Sequence, residues 1–175
     1  MLRKIVEFHR DEEHHWIADL DCGHAQHTRH DPPFFPRPWV LNEDSRTNYI
    51  GTPLDCVRCD RQEIPEDFVV YRRTPTFTTE SMPIGLRHHH STKSGVWGII
   101  TILEGQLRYR VHEPYHREVV LDRHTKGIIL PEVEHEVEPL TNAEFYVEFW
   151  HRLEKGDDLT PKEPTVYTQV LLDWV

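Results

Sequence analysis

The sequence predicts a mainly β protein in which a small metal-stapled unit is followed by a β-barrel or β-sandwich. Two short pairs of metal-binding residue types, Cys22-x-His24 and Cys56-x-x-Cys59, indicate the first part. About eight short apolar runs separated by turn residues follow them, without a convincing helical pattern, and indicate the second part. Apolar residues make up only 37% of the 175 positions, which favours two modest cores over a single large one.

The two pairs near the amino terminus contain every cysteine of the chain. Three thiolates and one imidazole are the donor set of a closed tetrahedral zinc site, and each pair is spaced as a tight turn that points two ligands inward. The alternative is three unrelated thiols and a surface histidine, but turn-forming neighbours such as Gly23 argue against inert core thiols. We therefore expect a zinc domain over 1–62 with the ligands Cys22, His24, Cys56 and Cys59.

The elements of this first part follow from its local patterns. Alternating apolar residues predict a hairpin over 4–8 and 16–20. Four prolines and three aromatic residues in 31–39 predict an ordered loop, because proline cannot donate to a strand ladder. Asn42 is typical of a helix N-cap and Gly51 of a helix end, so a short helix is expected over 43–50. His27 and His30 are the first substitute ligands for the zinc.

A polar segment with one proline, 60–67, predicts a linker, and a β domain is expected over 66–175. Its short alternating runs are bounded by turn residues, as in a sandwich or barrel. The predicted strands are 68–71, 96–104, 106–111, 117–121, 127–130, 135–138, 144–150 and 165–172.

Composition limits the partners. The formal charge of −10, from 30 acidic and 20 basic residues, argues against a nucleic-acid partner, because phosphate binding needs an excess of Lys and Arg. The start of the chain lacks a signal-peptide core, and no apolar run approaches about 18 residues, so we expect no membrane partner. Reduced cysteines then fit a soluble, cytoplasmic protein. Most of the 14 histidines are expected at the surface.

A second group of candidate ligands lies in the predicted β domain. The run 88–90 consists of three histidines, of which His88 and His90 share a face by strand alternation. His135 follows a proline turn, and Glu148 lies within an apolar strand, where an unpaired carboxylate would be costly to bury. These residues could converge on a second ion. The alternative is a set of surface histidines and an edge glutamate.

Three ordered motifs in this region resemble a known family. They are HSTKSGVWG at 90–98, LEGQLRY at 103–109 and PEVEH at 131–135. Together they resemble the small cupin family of YeaR and of the amino-terminal domain of the tellurite-resistance protein TehB, over roughly 68–152. The first 60 residues resemble a small bacterial domain of unknown function through the motif DCGH at 21–24, His27, His30, DPP at 31–33, Cys56 and Cys59.

The cupin resemblance implies a double-stranded β-helix barrel whose interior holds a divalent ion such as Zn, Fe, Ni or Mn. His90 and His135 match the family's histidines, and His88 or Glu148 would supply the third donor. This sequence departs from the family pattern at one ligand position, because it has Gly95 where a metal-dependent cupin usually has a glutamate.

Three functions follow as hypotheses. The first is a metal-binding cupin protein of the tellurite-resistance-like family, acting in stress or metal-oxyanion response on a small-molecule or oxyanion ligand. The second is a metal-dependent cupin enzyme, in which an ion with an open position activates oxygen or water. The third is a non-catalytic interaction or scaffold module. Whether the chain is an enzyme and whether it forms a homodimer stay open at this point.

Overall fold

The computed structural model describes residues 1–28 and 37–153, and the protein is mainly β, as the sequence predicted. Contacts divide the chain into two compact units, Met1–Pro65 and Glu66–Val175. The predicted domains, 1–62 and 66–175, stay a prediction about independent folding, because contact density alone does not show that either unit folds alone.

The first unit is a four-stranded antiparallel sheet with β1 in its interior. Its strands are β1 (Leu2–Arg10), β2 (Trp16–Leu20), β3 (Ala25–His27) and β4 (Pro53–Asp55), in the order β3-β2-β1-β4. The predicted hairpin is present as β1 and β2, with a bulge between Ile5 and Glu7. Because β2 and β4 both run antiparallel to β1, both end beside the start of β1.

Two short helices complete the first unit. Helix α1 (Glu43–Tyr49) begins after Asn42, whose side chain accepts a hydrogen bond from the Ser45 amide at 3.0 Å, as expected of an N-cap. Helix α2 (Val57–Asp60) follows β4 directly. Most of the predicted proline loop lies outside the described residues, and Pro38–Leu41 forms a 3₁₀ turn. Within 1–28 and 37–153, no helix is long and apolar enough to cross a membrane.

The second unit contains two antiparallel sheets. One has the order β10-β7-β12-β5, with β6 also pairing with β12, and the other has the order β11-β8-β9. Their strands are β5 (Phe68–Arg73), β6 (Phe77–Thr78), β7 (Trp97–Glu104), β8 (Leu107–Val111), β9 (Arg117–Leu121), β10 (Gly127–Ile129), β11 (His135–Pro139) and β12 (Glu144–Arg152).

The predicted strands of this unit from 68 to 150 all occur, with ends shifted by one or two residues. The predicted strand 165–172 lies outside the described residues. One local expectation is wrong: the run of histidines at 88–90 does not form a strand, so His88 and His90 do not share a face by strand alternation. A 3₁₀ turn, Ile84–Arg87, precedes it, and only His90 pairs, through a single bridge to His135.

The core of the second unit consists of large apolar side chains supplied by alternate positions of its strands. Trp97, Phe145, Leu107 and Leu121 are each almost completely inaccessible to solvent. His135 is 2% exposed among them, which makes it one of the few buried polar residues of the described chain. An imidazole in such a place needs hydrogen-bond partners, because burying an unpaired polar group is costly.

Gly105, in the turn between β7 and β8, tests the packing of this unit. Its φ is +71°, and a Cβ there would overlap the backbone carbonyl oxygen of Asn142. We expect Gly105→Ala to lower the free energy of unfolding by more than about 2 kcal/mol, since left-handed strain alone costs about 1–2 kcal/mol. Gly85→Ala is the matched control, because no atom lies within 4 Å of its Cβ position. Chemical denaturation measures both variants, and equal losses of unfolding free energy would contradict the turn geometry.

We expect a fragment beginning at Glu66 to fold alone. The two sheets of the second unit pair only with strands of that unit among the described residues. The fragment should therefore show a β-type circular dichroism spectrum and one cooperative thermal transition. An insoluble fragment, or one without a cooperative transition, would show that the predicted boundary is wrong.

Candidate metal centre and ligand cavity

Both predicted cysteine turns lie at the same end of the first sheet. Cys22 and His24 occupy the turn between β2 and β3, where Gly23 has a φ of +87° and its amide donates to the Leu20 carbonyl at 2.8 Å. Cys56 lies between β4 and α2, and its amide donates to the Met1 carbonyl at 2.7 Å. Because β1 pairs with both β2 and β4, the sheet itself places the two turns side by side.

The four predicted donors form one compact, buried cluster. Cys22 and Cys59 are 0% exposed, His24 is 1% exposed and Cys56 is 3% exposed. The His24 Nδ1 atom lies 3.4, 3.4 and 3.6 Å from the Sγ atoms of Cys22, Cys56 and Cys59. The Sγ atoms of Cys22 and Cys56 are 4.0 Å apart. These residues could therefore hold a metal ion.

The separations can be compared with those of a tetrahedral site. Ligand bonds of about 2.3 Å for sulfur and about 2.0–2.1 Å for nitrogen place tetrahedral donors about 3.8 Å apart for two sulfurs and about 3.6 Å apart for sulfur and nitrogen. The observed 4.0 Å between the Sγ atoms of Cys22 and Cys56 and the 3.4–3.6 Å to His24 Nδ1 agree within a few tenths of an ångström. The donor set therefore fits a single tetrahedral ion.

Electrostatics favours a cation at this centre. The hydrogen bond between the Sγ atoms of Cys22 and Cys56 raises the pKa of Cys22 and lowers that of Cys56. Without a cation, the cluster therefore favours one thiolate, because a second negative charge so close would be repelled. A bound divalent cation removes that restriction and lets all three thiols ionise.

Two further polar residues near this centre have identifiable roles. Arg3 is 4% exposed, interacts electrostatically with Cys59, and has its Nη1 atom 4.0 Å from Asp21 Oδ1. No motif in the sequence indicated this buried cation, because residue 3 precedes the cysteine motifs. His27, named as a substitute ligand, instead has its Nε2 atom 2.9 Å from Asp11 Oδ2. His30 lies outside the described residues.

In the second unit, the structure brings His90 and His135 together. Each donates its backbone amide to the carbonyl of the other, at 3.0 and 2.8 Å, and the two ring centroids are 4.2 Å apart. The Nδ1 atoms lie 2.9 Å from the carbonyl oxygens of His88 and Val133. A carbonyl only accepts, so each Nδ1 carries the proton and each Nε2 carries the lone pair.

Both imidazoles are neutral at pH 7. Burial, together with the neighbouring His90 ring, lowers the pKa of His135 to about 3. Burial also lowers the pKa of His90. A neutral pair of Nε2 acceptors attracts hydrogen-bond donors or a metal ion, but it offers no positive charge to an anion.

The two rings line a cavity of about 50 Å³. Its wall is mainly apolar and includes Ile129 of β10 and Val147 and Phe149 of β12. Lys93, which is exposed, is the one charged side chain among the described residues of the lining. The cavity is therefore small and apolar, with two fixed hydrogen-bond acceptors.

Neither of the predicted third donors belongs to this cavity. His88 is exposed and does not line the cavity, although its backbone carbonyl accepts a hydrogen bond from His90 Nδ1. Val147 and Phe149 line the cavity, so Glu148 between them faces the other side of β12 by strand alternation. Among the described residues, no carboxylate or thiol lines the cavity. The sequence could not determine the phase of Glu148, because apolar residues occur on both of its sides.

Comparison with known proteins assigns each part of the chain separately. Residues 6–63 match a family described as a protein of unknown function (DUF3565). Residues 72–147 match the TehB-like domain. The carboxy-terminal part of the chain is therefore TehB-like, as the motifs indicated.

Two curated relatives match the same region. A probable S-adenosyl-L-methionine-dependent methyltransferase TehB from Haemophilus influenzae strain Rd is 32% identical over 95 residues, covering 53% of this chain and 29% of the relative. Its counterpart from strain 10810 is 30% identical over 95 residues, with the same coverage. The chain thus spans less than a third of the length of these relatives.

Two crystal structures are similar to the chain. An Escherichia coli protein is 22% identical with a TM-score of 0.48, covering 53% of this chain and 98% of that one. TehB from Haemophilus influenzae is 24% identical with a TM-score of 0.46, covering 50% of this chain and 32% of that one.

These findings correct the function expected from the sequence. A metal-binding cupin protein in stress or metal-oxyanion response is wrong, because the relatives of the second unit are named as S-adenosylmethionine-dependent methyltransferases. Neither alternative, the metal-dependent cupin enzyme or the scaffold module, is better supported. The structure gives the metal-dependent enzyme no better support because the donor set in the cavity is incomplete: among the described lining residues, His90 and His135 have no carboxylate beside them.

Proposed function

We propose that the first unit binds one zinc ion through Cys22, His24, Cys56 and Cys59, and that this ion holds the unit together. The observation that carries the proposal is the near-tetrahedral spacing of four buried donors. Three thiolates and one imidazole suit zinc, and four protein ligands leave no position open for a substrate, so the role is structural.

The ion would supply much of the folding free energy of this unit. A four-stranded sheet with two short helices buries few large apolar side chains among the described residues, so a cross-link that joins its strands at one end has a large effect. Metal binding and folding are then one equilibrium, since the four donors are brought together only in the folded unit.

We expect the purified protein to contain one zinc per chain, and Cys56→Ser to lose it. Removing one thiolate should lower the zinc-to-chain ratio from about one to near zero after dialysis against a chelator. The thermal transition of the first unit should disappear with it. Elemental analysis and circular dichroism measure both quantities.

His27→Ala provides the matched control, since it removes an imidazole of the same unit that lies outside the four-donor cluster. It should keep the zinc. A Cys56→Ser protein that retains both its zinc and its fold would refute the assignment, and loss of zinc in His27→Ala would point to a different ligand set.

For the second unit we propose a double-stranded β-helix that binds a small hydrogen-bond-donating molecule between its sheets. The strand orders β10-β7-β12-β5 and β11-β8-β9, with the added His90 bridge to β11, support this fold. The two neutral Nε2 acceptors in an apolar cavity support the ligand class. They disfavour the oxyanion ligand considered from the sequence, because an anion would meet two acceptors.

S-adenosylmethionine is the second candidate ligand, and the names of the TehB relatives favour it. Its size argues against this cavity, which encloses about 50 Å³, whereas pockets for drug-sized ligands enclose about 300–1,000 Å³. We therefore propose that the cavity accepts a molecule of a few heavy atoms. The cavity lies in the part of this chain that matches the methyltransferases.

Pyrazole and N-methylpyrazole test the ligand class, since both are small and planar and only pyrazole has an N–H group. We expect pyrazole to bind more tightly and to shift the imidazole ¹⁵N resonances of His90 and His135. His90→Ala should weaken pyrazole binding about fivefold, the value of roughly one hydrogen bond. His89→Ala is the matched control and should leave it unchanged.

Equal affinity for the two compounds would refute recognition through hydrogen bonds. Perturbation of the same two rings by S-adenosylmethionine would refute the size argument and favour the cofactor as the ligand.

A further inference from the structure

Three side chains of the second unit face outward directly behind the cavity. His135 lines the cavity, so strand alternation along β11 turns the adjacent Glu136 outward, and the exposed His89 has its Nε2 atom 3.7 Å from Glu136 Oε2. His112 follows Val111, which is buried and pairs with His135, and therefore shares the outer face. The same strand register thus builds an inner histidine pair and an outer cluster of two histidines and one glutamate.

The outer cluster has the spacing of a set of metal ligands. One potential donor atom from each of His89, His112 and Glu136 lies within 4.8 Å of the others. The Glu136 Oε2 atom is 3.7 Å from His89 Nε2 and 3.8 Å from His112 Nε2. Two donors bound tetrahedrally at about 2.0–2.1 Å from one ion are about 3.4 Å apart, so small side-chain adjustments would complete the site.

Two details indicate that these groups are organised for a cation. The Nε2 atom of His112 is buried and has no hydrogen-bond partner, although an imidazole nitrogen in that state normally has one. Arg110 holds the other carboxylate oxygen, Oε1 of Glu136, at 2.8 Å, which leaves Oε2 directed toward the two imidazoles. A carboxylate oriented in this way by a neighbouring residue is typical of a metal site.

We propose that His89, His112 and Glu136 bind a divalent transition-metal ion, such as Ni²⁺ or Zn²⁺, on the outer face of the β11-β8 pair. Two imidazoles and one carboxylate select such ions over Mg²⁺ or Ca²⁺, which prefer oxygen ligands. Three protein ligands leave at least one coordination position for water or a small ligand.

The surrounding charges favour a cation at this place. Glu134 Oε2 lies 3.6 Å from His89 Nδ1, and Glu118 and Glu138 pair with Arg110 at 2.9 and 3.1 Å. Arg108 shares Glu118 and Glu138 with Arg110, so Glu118, Glu136 and Glu138 together supply three carboxylates against two guanidinium groups. The proposal does not rest on zinc in the first unit, whose ligands are separate residues.

The test uses the full chain, saturated with zinc and then dialysed, so that the cysteine centre is filled before titration with Ni²⁺. Isothermal titration calorimetry should detect one bound Ni²⁺ per chain. An absorption spectrum of the same sample should lack the near-ultraviolet band that a nickel–thiolate bond would produce. His89→Ala should weaken the binding at least about tenfold, because one of three ligands is removed. Glu136→Gln should weaken it as well.

His88→Ala is the matched control, because it removes an exposed histidine one residue away from the cluster. It should leave Ni²⁺ affinity unchanged. Three results would overturn the proposal: no saturable Ni²⁺ binding, equal losses in His88→Ala and His89→Ala, or binding that survives His89→Ala and disappears in His90→Ala. The last result would place the ion in the cavity instead.

Discussion

The first unit depends on the close approach of three thiols and one imidazole. Its sheet places them together because β2 and β4 flank the same strand and run in the same direction. Such a cluster has a high electrostatic cost if several thiols ionise without a cation, and it has little apolar contact to offset that cost. The architecture and the proposed ion therefore explain each other: the strands assemble the donors, and the ion makes their burial favourable.

In the second unit, the dominant constraint is the alternation of side chains along paired strands. One register places His135 inside and Glu136 outside, and the bridge from His90 extends the same arrangement to a third segment. The inner pair is locked in one tautomer by backbone carbonyls and sits in an apolar wall. The chemistry of the two faces differs because the inner pair lies in a mainly apolar wall, whereas charged side chains border the outer cluster. A single stretch of backbone thereby carries two distinct candidate sites.

Local signals in the sequence predicted the elements of this fold well. The cysteine spacing identified all four members of the buried cluster, and Asn42 marked the start of α1 correctly. Short alternating runs located the strands between 68 and 150, because each is bounded by turn residues. These features depend on neighbours in the chain, which a sequence displays directly.

Features that depend on tertiary placement were predicted less well from the sequence. Glu148 has apolar neighbours on both sides, so its face could be decided only by the lining of the cavity. His88 was expected beside His90, but the preceding 3₁₀ turn breaks the strand alternation. Arg3 and His112 gave no sequence signal, because their surroundings come from distant segments. The function expected from the cupin motifs failed for a related reason, since motifs identify a region of a family and not the activity of its longer members.

Zinc K-edge X-ray absorption spectroscopy, on protein dialysed to remove weakly bound ions, measures the first coordination shell of the proposed zinc most directly. We expect one zinc per chain with a first shell of three sulfurs at about 2.3 Å and one nitrogen at about 2.0–2.1 Å. A first shell of nitrogen and oxygen alone, or protein that folds fully while free of metal, would contradict this expectation.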